Sequence, residues 1–158
     1  MKLYGRKQKM CVLIICLMTI VVLSSCGKLE GEPQGEPLYK DDTLDLFEAF
    51  FRYKFENNHS GAQQNADAYF LQIEKKDPSP KFLGRFKKHS PPVKKGSKFV
   101  MGKGLLFRID SYKQVGRNSV EIRGGYDEGN LSASWATYTG LKKKGKWTFK
   151  SVGPVIVA

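Results

Sequence analysis

The chain has 158 residues, 27 Lys+Arg against 15 Asp+Glu and a formal charge of +12. Aromatic residues at 12% and apolar residues at 41% exclude a chain disordered throughout. The basic residues cluster as Lys75-Lys76, Lys87-Lys88, Lys94-Lys95 and Lys142-Lys143-Lys144 at expected turns and edges, not as a stripe on a helix, so no nucleic-acid partner is expected.

The first element is a leader. Residues 1–9 carry Lys2, Arg6, Lys7 and Lys9 and no acid; removing those four charges leaves +8 on residues 26–158. Met10 to Leu23 is then an unbroken apolar run, MCVLIICLMTIVVL. A basic start and a greasy core make an export signal. The run falls short of the roughly 20 residues that a permanent helical span requires. It closes on Leu23-Ser24-Ser25-Cys26-Gly27. This resembles the lipobox of bacterial lipoproteins, an aliphatic residue and two small ones before a cysteine. The resemblance implies cleavage before Cys26 and lipid attachment to its sulfur. The membrane is then a partner through Cys26, and the location is the exported side of a bacterial envelope. By analogy with Gram-negative lipoproteins, Gly27 in place of Asp would permit transfer to an outer membrane.

The other two cysteines, Cys11 and Cys16, leave with that leader. The expected mature chain therefore has no disulfide, thiolate metal site or cysteine nucleophile. Residues 26–41 follow as a tether: Gly and Pro recur at short intervals, with Gly-Glu-Pro at 31–33 and again at 35–37. Such a stretch buries too little apolar area to offset its ordering entropy.

Residues 42–158 are read as one domain. A helix is expected from about Asp42, as N-cap, to Asn57. Leu44, Leu46, Phe47, Phe50, Phe51 and Phe55 make its apolar face. Asp45, Glu48, Arg52 and Glu56 make the opposite stripe, with two i,i+4 pairs. Residues 67–74 are compatible with a strand or a short helix. Ser79 and Pro80 start a short helix that carries Phe82, Leu83 and Phe86 and ends near His89. Alternation then predicts antiparallel strands at Leu105–Tyr112, Ser119–Tyr126, Leu131–Leu141 and Trp147–Val152, with Pro154 confining Val155–Val157 to an edge. The fold class is α+β: an N-terminal helix packed on a three- to four-stranded curved antiparallel sheet.

The ending Lys144-Gly145-Lys146-Trp147-Thr148-Phe149 resembles the last hairpin of small cystatin-like or NTF2-like domains, where the Trp packs on the N-terminal helix. The stretch from Gly124 to Ser134, with Thr137-Tyr138 after it, is similar to a group of bacterial envelope proteins. The resemblance covers roughly residues 67–150 and implies a fold, not an activity.

No catalytic set is legible, and no metal or cofactor is implied. His59 and His89 lie in turn-like segments without zinc spacing. Gly102-Lys103-Gly104 is too short for a phosphate loop. Adjacent Asp127 and Glu128 in a turn point apart. One constellation remains: Arg108, Asp110 and Tyr112 share a strand face and would line a pocket with Ser134 and Tyr138 if the sheet curls. The leading expectation is a lipid-anchored, non-catalytic binding or structural module, its partner an envelope protein or an anionic polymer. The alternatives are a small-molecule-binding or enzymatic NTF2-like domain with a helix–sheet cleft, and an inhibitor or immunity-type protein acting through Lys142–Lys144.

Overall fold

The computed structural model describes residues 40–129 and 133–157. The leader, Cys26, the tether up to residue 39, Leu131 and Ser132 lie outside them. Among the described residues no helix is long and apolar enough to cross a membrane.

Helix α1 spans Asp41–Glu56. Its N-cap is Lys40, which lends no side-chain bond, so Asp42 is not the cap. Asp41 and Asp42 both lie inside the first turn, where their charge meets the helix's positive end. Glu48 and Arg52 pair at 2.8 Å. Arg52 turns its other contacts away from Glu56, donating to the Arg85 carbonyl at 3.0 Å and lying over the Phe86 ring. Arg85 also reaches Asp45 at 2.7 Å and Glu48 at 3.0 Å. The polar stripe of α1 is thus the clasp for the next helical segment.

That segment is α2, Pro80–Leu83, followed by a 3-10 turn at Gly84–Phe86. The Ser79 hydroxyl accepts from the Phe82 amide at 3.1 Å, and Pro80 occupies the first turn, as expected. Phe82 and Phe86 are buried against Phe51 and Phe55.

The sheet is mixed and has six strands, larger than the three or four expected. They are β1 (Ala68–Ile73), β2 (Val93–Lys95), β3 (Gly104–Gly116), β4 (Ser119–Asp127), β5 (Ala133–Lys143) and β6 (Lys146–Val157), in the order β2-β1-β3-β4-β5-β6. Strands β3 to β6 are the antiparallel set that alternation predicted. The two additions pair in parallel: β1 lies between β2 and β3. A central parallel strand is covered on both faces, so β1 is an apolar run without alternation, and periodicity could not assign it. Strand β2 has three residues, two of them exposed lysines, which blunt the sheet's edge. The two terminal segments are one strand, β6, whose outer edge accommodates Pro154.

Helix α1 packs on one face of this sheet. Phe47, Phe50 and Phe51 are fully buried, and Phe55 is nearly so. Phe50 meets Tyr138 and Phe149 edge-on, and Phe55 meets Tyr69 and Phe107. In the last hairpin Phe149 meets Phe50 and Tyr53 of α1, and Trp147 stacks on Phe149 and packs against the same core. Gly124 allows this closeness: a Cβ there would lie 2.3 Å from the Arg108 carbonyl and 3.3 Å from the Phe50 ring.

On the opposite face, the register sets Ser111, Arg123, Thr137 and Val152 in one row and Lys113, Glu121, Thr139 and Lys150 in another. Thr137 and Thr139 are half-buried and the rest are exposed. Near β1 this face carries a smaller cluster, Ala68, Phe70 and Leu106, with Phe99 laid over it.

Candidate functional site

Arg108 and Asp110 lie on the open face, whereas Tyr112, Ser134 and Tyr138 belong to the helix face. The divider is a register shift between Ile109 and Ser111. Before it, Leu105, Phe107 and Ile109 point to the core; after it, Tyr112 does, meeting Phe47 at 4.9 Å. A bulge inserts one residue and inverts the alternation beyond it. Ser134 pairs in register with Tyr126, and Tyr138 with Ile122, and all four are buried. The five candidates therefore fall on two faces of the sheet and do not line one pocket.

The open-face site centres on Arg108. Its guanidinium lies 4.9 Å from the centre of the Trp135 ring, on the next-but-one strand; Gly125 stands between them in register and offers no side chain to intervene. Asp110 and Asp127 each approach it to 3.9 Å. At that separation the carboxylates neutralise charge without making hydrogen bonds. Arg108 Nε is buried and has no hydrogen-bond partner among the described residues. In the adjoining turn one Glu128 carboxylate oxygen is in the same condition. The Gly129 amide donates to Asp127 at 2.7 Å, closing that turn.

The helix-face site centres on a residue the sequence reading passed over. Lys54 is 3% exposed, and its Nζ donates to the Tyr138 hydroxyl at 2.7 Å. The ammonium also lies over the Tyr138 and Tyr126 rings, 4.9 and 5.6 Å from their centres. Removal from water lowers the Lys54 amine to about 8. Burial pushes the Tyr138 hydroxyl up to about 12 and raises that of Tyr126, with the Glu128 charge adding to the latter. The signal was present in the spacing: position 54 lies four residues beyond Phe50 and three beyond Phe51, inside the apolar stripe.

Neither imidazole joins these sites, although the His59 main chain hydrogen-bonds Tyr126. His59 is exposed, and His89 is half-buried against Phe55 and Tyr69, its Nδ1 2.8 Å from the Pro91 carbonyl. Among the described residues no three His, Cys, Asp or Glu side chains are grouped to hold a metal ion. No family model, curated protein or solved structure matches the chain.

Proposed function

We propose that the protein is a lipid-anchored component of a bacterial envelope, held through Cys26, whose folded domain is a non-catalytic binding module. The observation that carries the binding role is the buried, unpartnered Nε of Arg108. Folding strips such a donor of water, and it is normally supplied with an acceptor. On this reading the acceptor is a neutral carbonyl of the partner, laid against Trp135, because Asp110 and Asp127 already balance the guanidinium's charge. The helix side favours the same assignment, because interlocked rings occupy the space where a helix–sheet cleft would lie. The finer fold reading belongs here too: α1 against β3–β6 supports a cystatin-like or NTF2-like core, with β1 and β2 as additions.

Two measurements test the two halves. Mass spectrometry of the native protein should find residue 26 as an acylated amino terminus, and Cys26→Ala should lose palmitate incorporation. A chain still starting at Met1, or label retained on the mutant, refutes the anchor. For binding, a photoreactive residue at Trp135 in intact cells should give a discrete adduct that Arg108→Ala removes. An adduct indifferent to Arg108 overturns the assignment of the site.

A further inference from the structure

The connection from β2 to β3 presents apolar side chains to water. Val100 is 56% exposed and Met101 52%. They sit in a turn closed by the Lys103 amide on the Val100 carbonyl at 3.1 Å, with Gly102 at φ +75°; Val100 is the freer of the two, because the Met101 side chain rests against Gly129, where a Cβ would lie 2.2 Å from its Cγ. Phe99, packed edge-on against Phe70, holds the base of the loop to the sheet. Exposed apolar residues are common singly; two consecutive ones in a turn are less so.

Their surroundings are basic. Beside the turn runs a groove of about 380 Å³, lined by Ala68, Phe70 and Val100, by Lys94, Lys98 and Lys103, and by one acid, Asp67. The three lysines come from β2, from the 3-10 turn Gly96–Lys98 and from the loop itself, and all are exposed. Two acids stand nearby. Asp67 lies 3.8 Å from Lys103, with both side chains more than 60% exposed, so water screens the pair. Asp77 is engaged by the Ser97 amide and hydroxyl. Lys94 and Lys98 have no carboxylate within ion-pair distance among the described residues.

We infer that this corner of the domain docks on an anionic bilayer surface. Val100 and Met101 enter the boundary between headgroups and acyl chains, and Lys94, Lys98 and Lys103 meet the headgroup phosphates. The pairing of the two features selects this occupant. A soluble polyanion would satisfy the lysines and leave the apolar turn in water. A neutral membrane would accept the turn and leave the lysines without counter-charge. An anionic interface satisfies both. The inference adds a second, reversible membrane contact to the anchored reading and does not depend on it.

The test uses a local probe. In residues 26–158, the expected mature chain without the apolar run Met10–Leu23, with Cys26 replaced by Ser, Met101→Cys supplies the only thiol and is labelled with an environment-sensitive fluorophore. Val115→Cys is the matched control: it is 52% exposed and stands near the far end of β3, about 35 Å away at the rise of a strand. With phosphatidylglycerol-containing vesicles, emission at 101 should rise severalfold and shift to the blue, and emission at 115 should not. Pure phosphatidylcholine vesicles should leave both unchanged. Combined Lys94→Glu, Lys98→Glu and Lys103→Glu should abolish the response, and half-molar salt should weaken it. Equal responses at both positions, no response at 101, a response that survives charge reversal, or the same response to dextran sulfate would overturn the inference. No acyl chain is present in this protein, so failure of lipidation at Cys26 would leave the result unaffected.

Discussion

Lys54 of α1 and Tyr138 of β5 join across the helix–sheet interface through one 2.7 Å hydrogen bond, in which a buried ammonium donates to a buried phenol. Around them are Phe50, Tyr53 and Tyr126. Such a pair specifies how the helix lies more than it stabilises the fold, because the charge has lost its water.

The pH dependence of stability follows from that pair. The Lys54 amine is lowered to about 8 from 10.5. Between those values the unfolded chain binds a proton that the folded chain has released, so stability rises with pH across the window. Tyr138 runs the other way: with its hydroxyl at about 12 rather than 10, the unfolded chain ionises first and stability falls above pH 10. Urea denaturation should show stability climbing from pH 8 to about pH 10 and then declining. Lys54→Met should flatten the climb. At pH 7 it should stabilise by up to about 3 kcal/mol, the free energy equivalent of the lowered amine, less the loss of one hydrogen bond. A wild-type profile flat across this window would contradict the burial of a charged Lys54.

Tyr138→Phe isolates the hydrogen bond. The ring and its contact with Phe50 are kept, and the ammonium loses its acceptor. The expected loss is about 1–3 kcal/mol, measured as a shift in denaturation midpoint at pH 7. In the Lys54→Met background the same change should cost much less. Equal costs in both backgrounds would mean the two residues do not interact.

Arg108→Met separates a binding role from a structural one. The methionine keeps an apolar stem against Trp135, and the lost ion pairs are 3.9 Å contacts between partly exposed groups. Stability should change by about 1 kcal/mol or less. A loss above about 2 kcal/mol would make the guanidinium a brace for the β3–β4–β5 face instead of a group held for a partner.

Gly140→Val tests the close approach at the end of α1's ring stack. A Cβ at 140 would lie 2.8 Å from both the Phe149 ring and a Val120 methyl. Phe149 is pinned between Phe50 and Tyr53 and has little room to retreat. The expected loss is about 1–3 kcal/mol by thermal or urea denaturation. An unchanged midpoint would mean that the hairpin shifts freely.

The amphipathic stripe of α1, the Ser79–Pro80 start of α2 and the alternation of β3 to β6 were legible in the chain because each rests on neighbours along the sequence. The Ser79 cap and the inward faces of α1 and β4 follow from local spacing, and so does the α+β class, whereas the start of α1 at Lys40 instead of Asp42 does not. What is coded by long-range pairing was not legible. Strand β1 is apolar on both faces because the helix-side core covers Tyr69, Leu71 and Ile73 while Phe99 lies over Ala68 and Phe70, and β2 is too short to carry a pattern. The bulge at Asp110 is a feature of register with β4, yet it decides that Arg108 faces outward and Tyr112 inward. That one inserted residue parted Tyr112 from Arg108, while the β4–β5 register set Ser134 and Tyr138 on the helix face. Side-chain direction in a strand has a period of two, so a single-residue shift visible only in the paired sheet reverses every assignment beyond it.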